Sequence, residues 1–92
     1  MKIAYQKAEN KTEAYRLACE QITEEYIEKF KVHADIHYNE SNGEIKATGK
    51  GFTLTLCFEE KDVAVDLDLS FMLKPLKKKI LETIENKIKR TV

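Results

Sequence analysis

The sequence predicts an α+β domain of two layers. An antiparallel sheet of four to five strands carries two helices on one face, in the order β-α-β-β-β-β-α. Three observations predict this. Phe52, Leu54, Leu56, Phe58 and then Val63, Val65, Leu67, Leu69 alternate strictly with polar or small partners, the pattern of strands packed on one face only. Residues 10–30 and 73–90 instead repeat their apolar residues at helical spacing. The chain of 92 residues shows no linker, repeat or low-complexity segment, so residues 1–92 form a single domain.

Each element follows from its own residues. Residues 2–6 read as a short first strand. Asn10 with Glu13 three positions on has the form of a capping box, and it opens a helix whose stripe is Tyr15, Ala18, Cys19, Ile22, Tyr26 and Phe30. Glu20, Gln21, Glu24, Glu25 and Glu28 occupy the opposite side. Residues 32–38 alternate, with Val32, Ala34, Ile36 and Tyr38 on one face and His33, Asp35 and His37 on the other. Asn39, Ser41, Asn42 and Gly43 mark a turn, with Asn42 and Gly43 the strongest short-range hairpin signal. Residues 44–48 make the next strand, which Gly49 and Gly51 interrupt. The two strict alternations follow, joined by a charged turn at 59–62. The closing helix carries Leu73, Leu76, Ile80, Leu81, Ile84 and Ile88 on its apolar stripe, with Pro75 in its first turn.

Composition excludes several classes. Sixteen basic and sixteen acidic residues cancel, which argues against a general polyanion binder and makes nucleic acid an unlikely partner. No apolar run approaches the ~18–20 residues of a membrane span, and residues 1–5 offer no signal-peptide core. Cys19 and Cys57, on opposite sides of the sheet, read as packing residues of a reduced, cytoplasmic protein.

Four groups of residues invite a chemical reading. His33, Asp35 and His37 share a strand face and form a weak candidate metal set, to which Asp66 and Asp68 could add carboxylates; the same pattern also describes a solvated face. No Gly-rich phosphate loop and no G-x-S-x-G is present, so the expectation is a protein without enzymatic activity or cofactor. Charge is more informative. Residues 74–92 carry seven basic against two acidic residues, while residues 59–68 carry five acidic against one lysine. Lys74, Lys77, Lys78 and Lys79 gather at the start of the last helix, and Lys77 interrupts the apolar stripe. That cluster reads either as a site for an anion or partner, or as a solvated face in which Lys77 lays its methylenes along the core. Finally, Thr53, Thr55, Cys57 and Ala64 make the centre of the outer sheet face small and uncharged, either plain solvated sheet or an interaction face for another surface or a second copy.

The run from Leu69 through Ser70, Phe71, Met72, Leu73, Lys74, Pro75, Leu76 and three lysines to Ile80 resembles the ending of the small bacterial polyhydroxyalkanoic acid (PHA) system proteins. Residues 13–18 resemble that family's first helix, and residues 49–54 resemble its glycine-bracketed approach to a strand. Ser70 stands where the family usually has Gly, and Ile36, His37 and Tyr38 replace a strand containing Trp. The resemblance implies a cytoplasmic protein connected with polyester storage granules, with the granule surface or granule proteins as partners, and it implies no enzyme. The leading expectation is a non-catalytic binding module. The alternative is a carrier of small apolar ligands, with a cavity under Leu76, Ile80 and Ile84 lined by Phe52, Leu54 and Val65; a metal enzyme built on His33, Asp35 and His37 ranks last.

Overall fold

The alternations become the centre of the sheet. The structure, a computed structural model, describes residues 1–30 and 33–92. It contains β1 (Lys2–Ala4), α1 (Lys11–Gln21), α2 (Glu24–Glu28), β2 (Ala34–Asn39), β3 (Glu44–Gly49), β4 (Phe52–Phe58), β5 (Asp62–Leu69), a 3-10 turn (Lys74–Leu76) and α3 (Lys77–Thr91). The five strands form one antiparallel sheet in the order β1-β5-β4-β3-β2. Phe52 faces Leu69 across the central ladder, Leu54 faces Leu67, Leu56 faces Val65 and Phe58 faces Val63. All eight are buried, as are Ile45 and Ala47 beside them on β3. Burial of such side chains stabilises by roughly 1.5–3 kcal/mol each, which makes this face the main source of folding free energy. The helices cover it, and their buried residues join those of the strands in one continuous core.

The predicted helix over residues 10–30 is two helices. The cap at its start is as expected: the Asn10 side chain accepts the Glu13 N–H at 2.9 Å, and the Glu13 carboxylate accepts the Glu9 N–H. After Gln21 the chain leaves helical geometry at Ile22, and Thr23 restarts it by accepting the Tyr26 N–H on its hydroxyl. A new cap three residues before Tyr26 turns the second segment about its axis, so Ile27, absent from the predicted stripe, is fully buried while Phe30 is only partly covered. Tyr38 on β2 donates its hydroxyl to the Ile22 carbonyl at 2.8 Å and ties the strand to this break. Val32, expected to begin that strand, lies outside the described residues.

Three other boundaries move. β1 ends at Ala4 rather than residue 6, because the chain turns away to the far end of α3: the Val92 carbonyl accepts N–H groups from Gln6, Lys7 and Ala8 at 2.9, 2.6 and 2.8 Å. The β2–β3 hairpin closes on the Asn39–Glu44 pair, so its loop is residues 40–43 and not the two-residue turn suggested by Asn42 and Gly43. Pro75 sits in a 3-10 turn, and regular α-helix begins only at Lys77.

One buried group is unmatched. Tyr26 packs edge-on against Phe30, with the ammonium groups of Lys29 and Lys87 over its ring at 5.8 and 5.4 Å. Its hydroxyl is buried with no hydrogen-bond partner among the described residues. A buried unpaired polar group costs about 1–3 kcal/mol. Tyr26→Phe is therefore expected to raise stability by about 1 kcal/mol, or roughly 4–8 °C in a domain of this size. Thermal unfolding followed by circular dichroism checks this, and a lower midpoint would show that the hydroxyl is satisfied.

Candidate interaction site at the basic apolar tip

The odd-numbered alternation of β5 continues in the sequence to Phe71, which places that ring in the core if the strand continues. It does not continue. The ladder ends at the Phe52–Leu69 pair because the chain ahead of Phe52 turns back through Lys50 and Gly51, at φ 73°, into β3. Ser70 donates its N–H to the Gly51 carbonyl at 2.8 Å, and the Ser70 carbonyl then accepts the N–H groups of Leu73 and Lys74, both at 3.0 Å. This closed turn expels the two residues it encloses. Phe71 is 88% exposed and Met72 86% exposed, far more than any other large apolar side chain among the described residues.

The surroundings of the pair are apolar close in and cationic beyond. Phe71, Met72 and the half-buried Leu73 line an open hollow of about 610 Å³, together with Lys50 and His33. A second hollow of about 320 Å³ lies against Leu76 and Phe30, with Lys29 and Lys79 on its wall. Lys74, Lys77, Lys78 and Lys79 are all exposed. Among the described residues, neither these four nor Lys50 takes part in an ion pair. The lysines therefore do not neutralise Asp66 and Asp68 of β5. The stripe of α3 is narrower than the sequence suggests: Ile80, Ile84 and Ile88 are buried, Leu81 is half-buried and Leu76 is 46% exposed. Lys77 thus has no buried face to interrupt and stands in the open beside Leu76.

The other candidates are dispersed. His33 precedes β2, and its Nδ1 lies 3.8 Å from a Glu28 carboxylate oxygen, while Asp35 and His37 project from the exposed side of the strand. No group of three His, Cys, Asp or Glu side chains is placed to hold a metal among the described residues. Asp66 and Asp68 do not join the histidines, because β4 and β3 separate β5 from β2, a gap of roughly 14 Å at normal strand spacing. On the outer sheet face Cys57 stands opposite Ala64, as the uncharged patch requires, but Thr55 is flanked by Lys46 and Asp66, and Thr53 has Asp68 beside it. The patch is about one strand wide and hemmed by charge. Cys57 is exposed there, Cys19 is half-buried in the helix layer, and both thiols are free.

Displaced titrations lie away from the tip. Burial pushes the Tyr5 phenol up to about 12, and its hydroxyl donates to the Glu59 carbonyl. A hydrogen bond from Lys2 holds the Glu59 carboxyl below its ordinary value, and the hydrogen bond Asp62 shares with Glu59 raises that of Asp62. These groups meet at the β4–β5 turn, at the opposite end of the two strands from Phe71, where Lys2 and Tyr5 of the first segment tie that turn to β1.

Comparison with known protein families gives one match. Residues 4–92 fit the family described as "Putative polyhydroxyalkanoic acid system protein (PHA_gran_rgn)". The chain belongs to that family. The match to this PHA system family begins at the end of β1 and covers every later element through the last helix, and with them the tip. No curated protein and no solved structure matches the chain. Within the family's frame, the run from Leu69 to Ile80 that carried the resemblance is the tip itself: Leu69 ends β5, Ser70 closes the turn, Phe71 and Met72 project, and the lysines follow. Among the described residues no helix is long and apolar enough to cross a membrane.

The tip depends on Gly51. A Cβ there would come within 2.6 Å of Ser70 Oγ and 2.8 Å of Ser70 Cβ, on a backbone that L-residues rarely adopt. Gly51→Ala is expected to cost at least about 1–2 kcal/mol and to lower the thermal midpoint accordingly. An unchanged midpoint would show that the turn does not need glycine.

Proposed function

We propose that this member of the PHA system family is a non-catalytic cytoplasmic module that docks on the surface of polyester storage granules through Phe71 and Met72. One observation carries the proposal: two adjacent large apolar side chains held almost wholly in solvent by a closed turn, in a family named for the PHA system. Exposing two such residues is unfavourable unless a partner covers them, since each is worth roughly 1.5–3 kcal/mol on burial. A granule offers the complement, an apolar polymer beneath an amphiphilic coat. The tip is a small hydrogen-bonded turn, so it can enter that coat without unfolding.

An interfacial role for α3 itself has less support, because Ile80, Ile84 and Ile88 already fill the core. The carrier alternative also has less support. Phe52, Leu54, Val65, Ile80 and Ile84 pack together in the buried cluster, and the hollows described above open at the surface.

Co-sedimentation of the purified protein with isolated granules tests the proposal. Wild type is expected to pellet with them, and Phe71→Ser/Met72→Ser to lose at least about tenfold in affinity with an unchanged thermal midpoint. A wild type that stays in the supernatant, or a double variant that pellets equally well, would overturn it.

A further inference from the structure

We infer that the surface the tip recognises is an anionic lipid interface, with the lysines reading phosphate headgroups while Phe71 and Met72 enter the acyl layer; this rests on the tip being the docking site. The tip pairs exposed apolar side chains with a cluster of cations, the complement of an anionic surface over an apolar layer. The sequence has no acidic residue between Asp68 and Glu82, and in that interval it has four lysines. The apolar pair is the most exposed of the large apolar side chains among the described residues, and lysines from three segments accompany it: Lys50 from the β3–β4 connection beside it, Lys74 from the 3-10 turn, and Lys77, Lys78 and Lys79 from the first turn of α3. An anionic lipid interface offers a layer to each, headgroups outside and hydrocarbon within. Tyr and Trp are the usual residues of the headgroup level, and neither occurs between Asp68 and Glu82; Phe and Met are residues for the apolar side of the boundary.

A nucleic acid would satisfy the lysines and leave Phe71 and Met72 in water. A bare polymer surface would cover the apolar pair and leave five ammonium groups, without ion pairs among the described residues, facing an uncharged phase. Only a surface that is both anionic and apolar at a shallow depth matches both halves of the tip. With a zero formal charge the chain as a whole is not drawn to an anionic surface, so attraction depends on local lysines such as these. Docking therefore presents the tip to the lipid and directs the acidic β4–β5 turn away from it. Each lysine near such a surface is worth about fivefold in partition, and this attraction decays within a screening length of about 8 Å at physiological salt.

The test is sedimentation of the full chain with vesicles of equal parts phosphatidylglycerol and phosphatidylcholine, against vesicles of phosphatidylcholine alone. The expected result is binding at least about tenfold tighter to the mixed vesicles, weakened strongly by molar salt. Lys74→Gln/Lys77→Gln/Lys78→Gln/Lys79→Gln is expected to abolish the preference, and Phe71→Ser/Met72→Ser to weaken binding to both. These residues are exposed, so thermal midpoints should be unchanged. Equal binding to the two vesicle types, no binding to either, or full binding by the Phe71/Met72 variant would overturn the inference. A protein that pellets with granules through Phe71 and Met72 yet ignores anionic vesicles would overturn the lipid assignment alone. A protein that does neither would overturn the docking site as well.

Discussion

The β4–β5 ladder is the constraint on which the rest of this molecule depends. Its seven registered pairs put eight apolar side chains on one face, and the helices pack against that face. Its two ends do different things. At one end the charged turn closes with the Lys2–Glu59 ion pair at 3.2 Å and the Tyr5 hydroxyl on the Glu59 carbonyl. At the other, the turn at Gly51 stops the pairing two residues short of where the alternation of β5 would carry it. The surplus of that alternation is Phe71. An element that would be core in a longer strand becomes a projecting tip because its partner strand begins too late to cover it.

Net charge conceals this polarity. Equal numbers of acidic and basic residues suggest indifference to charged partners, yet Glu59, Glu60 and Asp62 lie at the β4–β5 turn and four lysines follow the opposite end of β5. Asp66 and Asp68 lie between them along β5, so charge is graded along the strands and the tip is their basic apolar end. Solvent and salt screen each exposed charge, and none of them stabilises the fold appreciably. Their arrangement matters for orientation at a surface, where a one-sided distribution fixes which end arrives first.

Much of the fold was legible because the determining signals are periodic. Four of the five strands, the capping box at Asn10 and the last helix follow from alternation, spacing and a side-chain cap, all of which act within a few residues. What escaped depends on contacts between distant segments. The break at Ile22 and Thr23 is invisible to a stripe count, since Ala18 and Ile22 before Thr23 and Tyr26 after it are all buried at helical spacing. The metal candidate failed because sharing a strand face does not bring His33, Asp35 and His37 together, and because strand order, which pattern alone does not give, puts two strands between them and Asp66 and Asp68. The lysine cluster was legible as a charge anomaly. Its apolar partners were not, because Phe71 continues a core alternation and only the Ser70 turn reveals that the strand has ended. A glycine facing the end of that alternation was the one available signal.

The central claim is that Phe71 leads the molecule into an apolar phase. The chain contains no Trp, so Phe71→Trp introduces a single indole at the tip. Thr55→Trp places one on the outer sheet face instead, between Lys46 and Asp66. Fluorescence of the two variants on addition of isolated granules measures which face meets the surface. The account predicts a blue-shifted, intensified emission for the tip indole and an unchanged spectrum for the sheet indole. A shift at Thr55→Trp with none at Phe71→Trp would contradict it.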